Sequence, residues 1–277
     1  MGPMRRLTAL LVALAPLSAG AETLQGRLTF GATGDDGGVS PYVSADLDLP
    51  LGTPRIGVRF GVYGLFATGD SSHETYATAE IGLGPGTLSA GVPRPAYDRF
   101  AVSALDRLAP RLGVPATATT RSRLTTGAMF LSETPLGLAW TGKDWAASVG
   151  EVDGTTALSL GGRARLGDWA VEGAVEAVEG AGDGLSAKLS AARRIGDWTA
   201  GATAFLPGTL TSGAAVEATV STLRGGLTVT GVALVAADES RLAVVAERKV
   251  AKHGTLRAGL GRGPDGAAAD LALDLRF

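Results

Sequence analysis

The chain contains no cysteine, which removes disulfide cross-links, thiolate metal centres and any cysteine nucleophile from consideration. Histidine is almost as scarce. His73 and His253 are the only two, and neither stands in a His-x-His or His-Glu-x-x-His arrangement, so metal binding has no support from spacing. Both read as turn residues, His73 after the third strand and His253 near the end of the chain. No Gly-x-Ser-x-Gly motif and no Walker lysine motif occur, so an enzyme and an energised transporter both lack their signatures. After residue 21 no apolar run approaches the ~20 residues of a membrane helix. A basic surplus is missing too: 25 Lys and Arg stand against 27 Asp and Glu, which argues against a nucleic-acid partner. Glycine is plentiful, 41 residues, but without the three-residue period of collagen. Gly34 to Gly38 and Gly180 to Gly184 are too short for a calcium loop and read as turns, so no cofactor and no metal is expected.

What is present begins with an address. Arg5 and Arg6 precede an apolar core from Leu7 to Leu17, and Ala19-Gly20-Ala21 supplies the small-x-small pattern of a cleavage site. This order predicts a signal peptide over residues 1–21 and a mature domain over 22–277. Cleavage removes two arginines, leaving 23 basic against 27 acidic residues and a net charge of -4.

From Glu22 onward, helix-length amphipathic runs give way to short stretches of period two between glycine and aspartate turns. At the end, Ala269, Leu271, Leu273, Leu275 and Phe277 share one face, with Asp270, Asp274 and Arg276 on the other. Ile56, Val58, Phe60 and Val62 alternate with Arg55, Arg59 and Tyr63. Val43, Ala45, Leu47 and Leu49 alternate with Ser44, Asp46 and Asp48. The run Leu227 to Ala236 is apolar or Thr on both faces, and its inward side is left open. The charged face is too rich in Asp, Arg, Glu and Lys for a dry core. A closed barrel with a wet lumen and a lipid-facing exterior fits better than a sandwich or a packed small barrel.

A longer period supports hairpins. Gly167-Asp168-Trp169 recurs as Gly196-Asp197-Trp198, then as Gly225-Gly226-Leu227 and His253-Gly254-Thr255, at the spacing of two strands and two connections. Such turns lie at one end of a barrel, where the tryptophans fit an interfacial belt. If the faces carrying Arg163 and Arg165, Glu172 and Glu176, and Lys188 are luminal, acid and base pair across adjacent strands; the alternative is that they only solvate the lumen and prevent its collapse.

One connection is not a tight turn. From Val92 to about Arg123 the chain carries Pro93, Pro95, Pro110 and Pro115, too proline-broken for a central strand. Within it, Ala101 to Leu112 reads as a helix with Leu105, Leu108 and Leu112 on one face. Five strands precede it. Extending the segment to Pro135 makes Leu136 to Thr141 strand six and gives an all-β, transmembrane antiparallel barrel of sixteen strands, or of fourteen if one weak hairpin is not real.

The cleavage site, the opening strand Leu24-Gln25-Gly26-Arg27-Leu28, the run Gly86 to Gly91 leading into Tyr97-Asp98, and the terminal Phe277 together resemble the Gram-negative general outer-membrane porins, especially the alphaproteobacterial kind. That resemblance implies a homotrimer of sixteen-stranded barrels in outer-membrane lipid, assembled by the outer-membrane insertion machinery. It also implies an inward-folded loop after strand five that forms a constriction for passive diffusion of small solutes. By position, Asp98 and Asp106 would be its loop acids and Arg27, Arg55 and Arg59 its wall arginines. Arg99, Arg107 and Arg111 make the loop more basic than acidic, so an anion-preferring eyelet is as defensible as the usual arrangement. Asp46 and Asp48 are candidate luminal partners for the loop arginines. The competing reading is a non-conducting structural or adhesion barrel.

Overall fold

A strand whose side chains alternate can show an apolar face to lipid and a polar face to water only if the sheet has no free edge. The computed structural model describes residues 24–35, 38–53, 56–67, 70–109, 112, 116–131, 133–180, 183–208, 213–237 and 239–277. It is a closed barrel of sixteen antiparallel strands in sequence order. The first five are β1 (Gln25–Asp35), β2 (Gly38–Thr53), β3 (Ile56–Ala67), β4 (Asp70–Leu83) and β5 (Gly86–Val92). The next six are β6 (Leu136–Thr141), β7 (Trp145–Val152), β8 (Thr155–Leu166), β9 (Trp169–Glu179), β10 (Gly184–Ile195) and β11 (Trp198–Leu206). The last are β12 (Ala215–Arg224), β13 (Leu227–Ala236), β14 (Ser240–Ala251), β15 (Gly254–Gly263) and β16 (Gly266–Arg276). β16 pairs with β1 and closes the ring. The count is therefore sixteen, with strand six beginning after Pro135.

Burial is inverted relative to a protein dissolved in water. Leu158, Leu160, Leu189, Leu242, Val244, Leu260 and Leu271 are each more than half exposed, while Glu176 and Glu217 are 1% exposed. On β16, Asp270, Ala272 and Asp274 are buried and Ala269, Leu271 and Leu273 point outward. An apolar exterior on this scale suits hydrocarbon as the surrounding solvent.

The repeated turns lie at one rim, joining β8 to β9, β10 to β11, β12 to β13 and β14 to β15. Gly225 and Gly226 have φ of 56° and 77°. Two successive positive φ angles define the type I′ hairpin, which a pair of glycines adopts without steric cost. All four tryptophans flank connections on this rim; Trp169 and Trp198 open their strands, and Trp140 packs edge-on against Trp145 at 5.1 Å. Amphipathic indoles at one level form a sparse interfacial girdle.

Some boundaries differ from expectation. Among the described residues, the helix expected over Ala101–Leu112 is seen as α1 (Ala104–Leu108) with Leu112 again helical, and α2 (Thr117–Thr120) and α3 (Arg123–Leu131) follow. α2 and the start of α3 are threonine-rich, and threonine is a poor helix former that gives no apolar stripe to read. His73 is in β4, opposite Gly64, because that strand starts earlier than its alternation suggests.

On the inner face, the Tyr42 ring lies over Gly31 in the space a β-carbon would occupy. Its hydroxyl donates to Asp270 at 3.2 Å and accepts from Arg257 at 2.7 Å. Gly31→Val therefore displaces the ring and both hydrogen bonds. The expected loss is about 1–3 kcal/mol of overpacking, read as a lower denaturation midpoint for the detergent-folded protein, with the strand content retained.

Candidate functional site

The chain between β5 and β6 turns onto the inward face of the barrel, starting with a 3-10 turn at Ala96–Arg99. Its apolar side chains need cover, and the wall provides it. Leu105, Leu108 and Leu112 join Phe205, Val232, Leu234 and Val245 in one buried cluster. This explains β13, whose two faces are both apolar: one faces outward, the other packs on α1. Tyr97 and Phe100 pack against Ala146 and Ala174, and Leu124 against Val152 and Ala157. The inserted segment thus leans on β7 to β14 and, through α3 and Arg121, on β4.

Polar anchors fix its position. Glu217 of β12 accepts from Ser103 Oγ at 2.6 Å, Ala104 N at 2.7 Å and Leu105 N at 3.2 Å, capping the start of α1. Glu176 of β9 does the same for α3, accepting from Ser122 Oγ at 2.6 Å and Arg123 N at 2.8 Å. A carboxylate at a helix start satisfies orphan N–H groups and complements the positive end of the helix dipole. At the other pole, Lys188 Nζ donates to the Thr120 carbonyl that ends α2, at 3.1 Å. Glu172 accepts from Ala101 N at 3.0 Å, where Ala101 holds φ at 46°. Glu172, Glu176 and Lys188 therefore anchor the segment and do not pair with one another across the sheet. Ordinary backbone donors and acceptors of the insert outcompete that pairing because they would otherwise be buried without partners.

Between the insert and the opposite wall lies a cavity of about 590 Å³ whose lining includes eight arginines and four acids. Five of the arginines have carboxylate partners. Arg27 meets Asp274 at 3.0 Å, and Arg59 meets Asp48 at 3.1 Å with Glu80 at 3.9 Å. Arg121 bridges Glu74 at 2.9 Å and Asp106 at 3.0 Å. Arg163 is 3.8 Å from Asp144, and Arg257 is 3.5 Å from Asp270. Among the described residues Arg94, Arg99 and Arg107 have no carboxylate partner. Asp46 lines the cavity and is exposed to it.

The residues singled out by sequence are thus sorted by the fold. Arg27, Arg59, Asp46, Arg99, Asp106 and Arg107 reach the lining. Asp48 is the partner of Arg59 on the adjoining strand, not of a loop arginine. Asp98 is 2% exposed and accepts from Ser122 N and Thr125 Oγ1, so it holds α3 and is not a lining acid. Asp106 faces the cavity but is matched by Arg121. Arg55 and Arg111 lie outside the described residues. Arg94, Arg121, Arg257, Glu74 and Glu217 were not singled out. Parity along β4, β12 and β15 assigns Glu74, Glu217 and Arg257 to the charged face, and only the path of the insert separates anchors from lining.

The electrostatics follow from this sorting. Arg99 is pushed down to about 10 by burial, with the Arg94 and Arg59 guanidinium groups adding repulsion. Burial also opposes the charge of Arg121, but Glu74 and Asp106 outweigh it and raise that group well above its ordinary value. Loop acids are neutralised or hidden, and the unmatched charge is basic.

No protein-family model matches the chain, and neither does any curated protein. Solved structures do match. A triple mutant of Rhodopseudomonas blastica porin superposes with a TM-score of 0.66 at 16% identity, covering 92% of this chain and 99% of that one. Another mutant of the same porin gives 0.68 at 18%, with the same coverage. The chain has the fold of the Gram-negative general porins. A third match, from work on the asymmetric conductivity of engineered proteins, gives 0.67 at 18% over the same shares.

Within this porin fold, Glu217→Gln keeps the volume of the side chain but weakens three hydrogen bonds to α1. Bonds to a charged acceptor are each worth about 1.5–3 kcal/mol, so the α1 turn opens more readily while the barrel stays closed. Amide exchange at Ala104 and Leu105 should accelerate by roughly tenfold or more, with exchange in β12 unchanged.

Proposed function

We propose that the chain forms a water-filled channel in the Gram-negative outer membrane, through which small hydrophilic solutes and ions diffuse passively, with anions preferred. The observation that carries this reading is the charge balance of the 590 Å³ lumen: Arg94, Arg99 and Arg107 are unmatched, against Asp46 and a Glu172 engaged by a backbone N–H. A basic constriction with low-dielectric walls concentrates anions and repels cations, without a binding event or an energy source. The porin fold and the exposed apolar exterior support a membrane-spanning role. The signal peptide over residues 1–21 falls outside the described residues and supports export on its sequence alone. Trimer formation and delivery by the insertion machinery belong to the same reading, through the porin likeness.

Purified protein in a planar bilayer under a potassium chloride gradient tests it. Discrete conductance steps with a reversal potential of the anion-selective sign are expected, and Arg94→Glu with Arg99→Glu should move that potential toward cation selectivity. Correctly folded protein that inserts without conducting would instead favour a structural or adhesion barrel.

Phe277 extends the closing pair by one residue, exchanging backbone hydrogen bonds with Gly26 at 3.0 and 3.2 Å. Its side chain can contribute only about 1.5–3 kcal/mol by burial in lipid. Deleting it is expected to reduce insertion in cells severalfold while refolding in detergent survives; equal losses in the two assays would remove any role in delivery.

A further inference from the structure

The three unmatched arginines are not equivalent. Arg107, at the end of α1, is exposed and its backbone carbonyl is held by Arg257 at 3.1 Å. Arg94 and Arg99 sit on a stiff frame. Pro93 and Pro95 flank Arg94 and fix the backbone on both sides. The 3-10 turn that follows is closed by Asp98 N donating to the Pro95 carbonyl at 3.0 Å. Arg99 Nε donates to the Arg94 carbonyl at 3.2 Å, which ties the second guanidinium to the backbone of the first. Arg94 Nε is buried and without a hydrogen-bond partner. Arg59 of β3 lines the same cavity, where it is paired with Asp48 at 3.1 Å. Two guanidinium groups are thus held against their mutual repulsion, partly shielded from water, with donors to spare and no carboxylate of their own.

We infer that Arg94 and Arg99 form a clamp that binds a phosphate-like oxyanion during its passage. The inference rests on the channel reading above and goes beyond it, because a general anion preference requires only net positive charge. A clamp needs the planar fork of arginine. Guanidinium donors match the oxygens of a phosphoryl group in pairs, and a multiply charged oxyanion gains more from two adjacent unmatched cations than chloride does. The rigid turn lowers the ordering cost of binding. Inorganic phosphate and a phosphate monoester such as a sugar phosphate present the same group to the clamp.

The test is single-channel recording in a planar bilayer at low ionic strength in potassium chloride, where surface screening is weak. Potassium phosphate at neutral pH is the probe, and a sugar phosphate is the second. The expected result is a saturable block of chloride current by both. Arg94→Gln with Arg99→Gln should raise the half-blocking concentration by roughly tenfold or more. Arg94→Lys with Arg99→Lys keeps the charge and removes the fork, so it should weaken the block. Block by phosphate but not by the sugar phosphate would support the clamp and exclude the monoester as a transported ligand. Absence of saturable block in a conducting, anion-selective channel would overturn the clamp and leave the channel reading intact. Equal block in the lysine variant and the parent would also overturn it, since charge alone would then suffice. Absence of any conductance would overturn the channel reading itself.

Discussion

The pairing of β1 with β16 is the contact on which everything else depends. Without it the wall would present two open edges, and unpaired N–H and C=O groups cannot be left in hydrocarbon. The seam is closed by the backbone register from Arg27–Arg276 to Asp35–Ala268 and by an inward charge cluster that crosses it. Asp274 receives Thr29 and Arg27 from β1 and lies 3.7 Å from Arg257 of β15. Asp270 receives Tyr42 from β2. Buried ion pairs add little net stability over apolar packing, but losing one partner strands the other. Their contribution here is to the register: a slip by one residue would turn Asp270 and Asp274 into lipid.

Closure also creates two kinds of inward surface. Along β1 to β3 and part of β4 the inner side chains border the wet cavity. Along β7 to β14 they serve as a core for the inserted segment, with Phe205, Leu234 and Val245 under its leucines and Glu176 and Glu217 at its helix starts. The insert covers the dry side and leaves the wet side as an open cavity. Its own acids are consumed in holding it: Asp98 secures α3 and Asp106 meets Arg121. The charge left facing the cavity is consequently basic, a result of folding economy and not of composition, since the chain as a whole carries more acidic than basic residues.

Much of the wall was legible in the sequence because alternation reports directly on which face meets lipid. The strands around Ile56, Leu189 and Leu271 all carry that signal, and the 28- to 29-residue turn spacing supplies their order. Where it failed, both faces were doing the same thing. β13 is apolar inside and out because its inner face packs on α1, and no pattern of period two can express that. The site was less legible for a related reason. Charge on a strand marks an inward position, but whether that position is wet or buried depends on a segment dozens of residues away. Glu172, Glu176 and Lys188 had the right face and the wrong role, and Arg94 was hidden in a proline-rich stretch that reads only as a break.

The central claim is that one face of each strand turns inward, to the aqueous lumen or to the insert, and the other meets lipid. Because the chain has no cysteine, it can be tested directly by placing single cysteines along β12 and exposing the protein in lipid vesicles to a charged, membrane-impermeant thiol reagent. Thr219→Cys and Ser221→Cys should label, while Ala218→Cys and Val220→Cys should stay protected. Uniform labelling along the strand, or labelling of Ala218→Cys and Val220→Cys in place of the other two, would contradict a lipid-embedded barrel with an aqueous lumen.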